Sequence, residues 1–184
     1  MSTELVILLD RSASMCGREA SCAREMEQIL EQQKKRPGPC WVTTLLVDTE
    51  CRVLHDRLPI ETVRVPERLL CAAGGASSLR DALSKGIGHI ERIHRYLRKE
   101  DIPERVSFQI LSDGIDNTSR TDKAALDRRM AEKREIGWEF RMLCPEWEKT
   151  DDLEETAVPD WDMLDGEGLN RRIEQTLREI RGGE

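Results

Sequence analysis

Leu5-Val6-Ile7-Leu8-Leu9-Asp10-Arg11-Ser12-Ala13-Ser14 is the stretch that decides the fold. Five consecutive apolar residues form a run too short for a buried helix. They fit a strand covered on both faces, the kind found in a parallel sheet between helices. The run ends in a carboxylate and two hydroxyls at alternate positions, so three hard oxygen groups can converge at the strand's C-terminal end. Oxygen donors without nitrogen or sulfur suit Mg²⁺, Mn²⁺ or Ca²⁺ rather than Zn²⁺.

Working outward, strands and helices alternate. A strand over 4–9 is followed by a helix over 18–35, with Ala23, Met26, Ile29 and Leu30 on one face, stopped by Arg36-Pro37-Gly38-Pro39. A second buried strand spans 41–47, and 51–57 reads as its hairpin partner after the turn Asp48-Thr49-Glu50. The longest helix starts at Ser78 and repeats Leu79, Ala82, Leu83, Ile87, Ile90, Ile93 and Leu97 every three or four residues. Gly86 and Gly88 weaken it locally and point to close packing on a sheet. A strand over 106–111, a helix over 123–135 and a strand over 138–144 follow. A last amphipathic helix carries Leu169, Ile173, Leu177 and Ile180. This order predicts a doubly wound α/β fold: a mostly parallel central sheet with one antiparallel edge strand and helices on both faces.

The 184 residues predict a single domain over 1–184. The net charge of −7 is uneven. An acidic segment at about 145–168 holds ten acids and one lysine, and the rest has 26 acids against 28 bases. A near-neutral body gives no basic face for nucleic acid. No apolar run reaches the length of a membrane span. The Met1-Ser2-Thr3-Glu4 start lacks the basic region of a secretory signal. Six cysteines at 16, 22, 40, 51, 71 and 144 form no C-x-x-C pair, which argues against a zinc ribbon. They are expected to be reduced thiols in a cytoplasmic setting. His55, His89 and His94 lack metal spacing and read as surface or helix-face residues. Trp138, Trp147 and Trp161 read as packing residues.

Three separated segments put oxygen donors where strands end: Asp10, Ser12 and Ser14; then Ser77, in Gly74-Gly75-Ala76-Ser77-Ser78-Leu79; then Asp113, in Leu111-Ser112-Asp113-Gly114. In open α/β sheets, ligands bind in the crevice outside the carboxyl ends of the strands. Two carboxylates and three hydroxyls completed by water would form an octahedral Mg²⁺ site with bonds of about 2.0–2.1 Å. Each piece has a plainer reading too. Asp10 is a candidate loop cap, Ser12 and Ser14 turn residues, Ser77 or Ser78 the N-cap of the long helix, and Asp113-Gly114 and Asp116-Asn117 turn pairs. Asp48 reads as a turn carboxylate, or as one that orients a water beside the site.

The set resembles the von Willebrand factor A domain, whose metal-ion-dependent adhesion site reads D-x-S-x-S, then a Thr, then an Asp. Asp10-Arg11-Ser12-Ala13-Ser14 matches the first element, Ser77 stands in the Thr place, and Asp113 matches the last. Residues 4 to about 144 are covered. Ala13 replaces a frequent Gly, and Ser77 keeps the hydroxyl without the β-branch that stiffens χ1. The resemblance implies that Ser12, Ser14 and Ser77 touch the metal, that the aspartates act largely through water, and that one coordination position is left open. It implies a non-catalytic, divalent-cation-dependent protein-interaction module. Its partner protein would donate a Glu or Asp carboxylate, in some relatives within an AAA-type ATPase system.

Two alternatives stay open. Asp10 after an apolar strand is also similar to the nucleophilic aspartate of haloacid-dehalogenase-type phosphatases, although Ser12 stands where their second Asp would be. No G-x-x-x-x-G-K-[ST] loop and no Ser/His/Asp arrangement supports another hydrolase. A metal-free scaffold with a degenerate site is the third reading.

Overall fold

Alternate side chains of the first strand feed two different cores, and this sets the layering. In the computed structural model, residues 1–65 and 75–145 are described, together with the backbone of Glu155–Ala157. Strand β1 (Thr3–Asp10) is buried along its whole length. Val6 and Leu8 point into one apolar cluster and Leu5, Ile7 and Leu9 into the other. Each such side chain contributes about 1.5–3 kcal/mol on full burial. That is why the run carries no alternation of polar residues.

The elements that follow are α1 (Glu19–Lys34), β2 (Cys40–Val47), β3 (Cys51–Pro59), α2 (Leu79–Tyr96), β4 (Arg105–Leu111), α3 (Lys123–Glu135), β5 (Trp138–Leu143) and β6 (Glu155–Ala157). The sheet order is β3-β2-β1-β4-β5-β6. Strands β2, β1, β4 and β5 run parallel, with Leu9 level with Leu46 on one side and Leu111 on the other. Their C-terminal ends therefore share one edge. Helix α1 seals one face through Cys22, Met26 and Leu30. Helices α2 and α3 seal the other, through residues including Leu79, Leu83, Ile87, Leu126 and Met130. The α/β sheet with helices on both faces stands as read from the sequence.

The expected antiparallel hairpin strand is β3, at one edge. A second antiparallel strand, β6, pairs with β5 at the other edge, where the sequence offered only an acidic stretch. The remainder of that stretch, the helix expected over 169–181, Cys71, Trp147 and Trp161 lie outside the described residues. Trp138 packs as expected, with its ring stacked on Phe108 at 5.7 Å. Helix α2 carries Gly86 because a Cβ there would stand 3.1 Å from Leu45 Cδ1 and 3.3 Å from Phe108 Cε1. The glycine lets the helix lie close on the sheet.

The histidines hold structural roles. His55 pairs with the Thr44 hydroxyl, and His89 with the Asp56 carboxylate. His94 lies half-buried with its ring edge-on to Trp138. No helix among the described residues is long and apolar enough to cross a membrane.

Candidate functional site

The carboxyl edge of the parallel strands gathers the five residues singled out from the sequence. Asp10 is the last residue of β1, and its side chain is almost fully enclosed. Its Oδ1 accepts the Ser12 amide at 2.9 Å. Its Oδ2 accepts the Ser77 hydroxyl at 3.3 Å and the Ser112 hydroxyl at 2.5 Å. The Ser12 and Ser14 hydroxyls are 3.1 Å apart. Asp113 follows β4 by two residues and is close enough for its charge to act on Asp10. Ser12, Ser77 and Asp113 are buried, and Ser14 is half-buried.

The local backbone explains the convergence. Beyond β1, the chain is tied sideways: the Arg11 amide donates to Val47 O at 2.6 Å and the Ala13 amide to Gly75 O at 3.0 Å. Gly75 has φ +81°, a left-handed conformation that glycine adopts without strain. The Ser78 amide and hydroxyl both donate to Asp48 O, at 3.0 and 2.7 Å, which fastens the start of α2 to the end of β2. Ser78 is therefore a tether between elements, and its side chain does not cap the helix.

The α2 cap comes from elsewhere. Asp116 Oδ2 accepts the Arg80 amide at 2.7 Å and Arg80 Nε at 3.1 Å. Next to it, Asn117 Oδ1 accepts the Ser77 amide at 2.9 Å. The amides of Asn117 and Thr118 and the Thr118 hydroxyl all donate to Ser77 O. The Asp81 carboxylate in turn accepts the Arg120 and Thr121 amides. The whole loop from 112 to 121 is thus closed onto the first turn of α2, and Ser77 is gripped from both sides of its peptide.

The plainer readings are met in part. Asp113 Oδ1 accepts the Ile115 amide at 3.1 Å, so it makes the expected turn. Asp48 accepts the Glu50 amide at 2.9 Å and behaves as a turn carboxylate. Sequence reasoning missed Ser112, Asn117 and Thr118. A serine directly after a buried strand, beside the candidate ligand Asp113, was the one available signal for Ser112. Asn117 was read only as half of the turn pair Asp116-Asn117, and nothing local marks Thr118.

Electrostatics make Asp10 unusual. Burial pushes its carboxyl above the ordinary range; the Ser112 hydroxyl and the Ser12 amide and hydroxyl pull it back in part, and the Asp113 charge pushes it up again. Burial outweighs the hydrogen bonds, so the ionised form is stressed and an added positive charge would relieve it. Among the described residues, no group of three or more His, Cys, Asp or Glu side chains is placed to hold a metal. The donors gathered here are three hydroxyls and two carboxylates. That set fits a hard divalent cation and does not fit zinc or copper.

No protein-family model and no curated protein matches the chain.

Proposed function

We propose that the chain is a divalent-cation-dependent protein-interaction module of the von Willebrand factor A type, acting without catalysis. The observation that carries this reading is the contact of Ser77 with Asp10 across 67 residues of sequence, beside the Ser12–Ser14 hydroxyl pair. Mg²⁺ or Mn²⁺ would be held by Ser12, Ser14 and Ser77, with Asp10 and Asp113 supplying negative charge. A cation held largely by neutral hydroxyls stays under-neutralised and attracts an external carboxylate. The partner is then a protein offering a Glu or Asp side chain, for which an AAA-type ATPase system is one setting.

An aspartyl nucleophile fits less well. It needs an oxygen open to substrate, whereas Asp10 is 2% exposed and both its oxygens already accept hydrogen bonds. The free thiols of Cys16, Cys22, Cys40, Cys51 and Cys144 favour a reducing compartment.

Calorimetric titration with Mg²⁺ and Mn²⁺ tests the reading. Saturable binding that disappears in Ser77→Ala and Asp113→Ala, with both variants folded, is expected. Absence of heat and of any thermal shift at millimolar metal would sink it in favour of a metal-free scaffold.

A further inference from the structure

We infer that Ser112, which lies outside the D-x-S-x-S, Ser77 and Asp113 set, is the positioning residue that aims the hydroxyl of Ser77 at the cation. This rests on the metal-site reading above. Ser112 is completely buried and fixed on three sides. Its amide donates to Leu143 O at 3.1 Å, its hydroxyl oxygen accepts the Gly114 amide at 2.9 Å, and its hydroxyl proton goes to Asp10 Oδ2 at 2.5 Å. Because Gly114 occupies a lone pair of the oxygen, the O–H vector has one satisfactory direction, toward Asp10.

The consequence passes through the carboxylate. Ser112 holds Oδ2 and the Ser12 amide holds Oδ1, so the plane of the Asp10 carboxylate is set from both ends. A carboxylate so fixed presents its remaining lone pairs in a defined direction. The Ser77 hydroxyl donates into one of them at 3.3 Å. Its proton is thereby turned inward and its own lone pairs outward, the orientation a cation ligand needs. Ser112 also immediately precedes Asp113, so one residue couples the placement of both carboxylates. Groups that orient metal ligands in this way typically change metal affinity 10–100-fold when removed.

The test is Mn²⁺ titration calorimetry on wild type, Ser112→Ala, Ser112→Thr and Ser112→Cys, each paired with thermal unfolding in chelator. Ser112→Ala is expected to bind Mn²⁺ about 10–100-fold more weakly. Ser112→Thr, which keeps the hydroxyl, is expected to recover near wild-type affinity whatever its own melting temperature. Ser112→Cys replaces a strong donor with a weak one at similar shape. It is expected to weaken binding and carries the test if the alanine variant does not fold. A merely structural role predicts instead that affinity follows melting temperature across the series. Wild-type affinity in Ser112→Ala or Ser112→Cys overturns the inference and leaves the metal site standing. A wild-type protein that binds no Mn²⁺ overturns both.

Discussion

Asp10→Asn should stabilise the metal-free protein and destroy its response to metal, and the opposite signs make it a demanding test. The substitution is nearly isosteric. The asparagine carbonyl can accept the Ser12 amide as Asp10 Oδ1 does now. Its NH₂ would face the Ser77 and Ser112 hydroxyls. Ser77 can rotate to accept, whereas Ser112, whose oxygen already takes the Gly114 amide, loses the acceptor of its buried proton, a cost of about 1–3 kcal/mol. The variant loses the charge assistance of three hydrogen bonds, roughly 1 kcal/mol each. It also sheds an ion whose burial costs several kcal/mol, and the repulsion from Asp113. The upward shift of the Asp10 carboxyl says which side wins. A net gain in stability at neutral pH, read as a higher melting temperature in chelator, is the expected direction.

The pH dependence follows. The folded state holds the Asp10 proton to higher pH than the unfolded chain does. Stability therefore falls as pH rises from the unfolded carboxyl range through the raised folded one. The advantage of Asp10→Asn should vanish below that window and be complete above it. Adding Mg²⁺ at about 100 times its dissociation constant should raise wild type by about 2.7 kcal/mol and leave the variant unmoved, which reverses their order. Differential scanning fluorimetry from pH 4 to 8, in chelator and in Mg²⁺, reads both effects. A variant less stable than wild type in chelator at pH 7, or one stabilised equally by Mg²⁺, would refute the reasoning.

Three further outcomes are expected. Gly86→Ala, which helix propensity alone would make favourable, should cost about 1–3 kcal/mol in denaturant unfolding because its Cβ meets Leu45 and Phe108; a stabilised variant would mean those side chains yield freely. Asp116→Ala removes the acceptor for the Arg80 amide, the Arg80 guanidinium and the Ser119 hydroxyl. It should lower stability by about 1–3 kcal/mol and weaken Mn²⁺ binding through Ser77, as read by unfolding and calorimetry. In the folded protein, maleimide labelling with peptide mapping at pH 7.5 should modify the exposed Cys16 and spare Cys22 and Cys40, whose thiols burial pushes up to about 12; fast labelling of Cys22 would show that α1 opens readily.

The sequence carried the layers of this fold because layers are periodic. An unbroken apolar run in β1 can only be a strand buried on both faces, and a three-to-four repeat from Leu79 to Ile90 can only be one buried helix face. The α3 boundaries, Lys123–Glu135, were also legible, since Asp122 caps that helix from within its own segment. What stayed hidden is non-local pairing. Asp116, Asn117 and Thr118 look like ordinary turn residues, and their partners, Arg80 and Ser77, lie 36 to 41 positions away. Ser78 was open to a capping role because its sequence fits one; the carbonyl of Asp48 captures its hydroxyl first. Strand β6 was illegible because three residues within an acidic stretch give no alternation to read.

The same distinction bears on how such a site works. Its candidate ligands come from three strand-end segments, each of which could form by chance. The part that makes them a unit is a shell of hydrogen bonds with no motif of its own. Asp10 stands at its centre, accepting hydrogen bonds from the Ser12 amide and the Ser77 and Ser112 hydroxyls. The closed loop from 112 to 121 grips Ser77 from the opposite side. Hydroxyls are weak ligands individually, and an unrestrained serine would pay rotamer entropy to face a cation. Here that entropy is lost on folding, before any cation arrives. Preorganisation is what would let three hydroxyls and two enclosed carboxylates compete with water for a hard divalent ion.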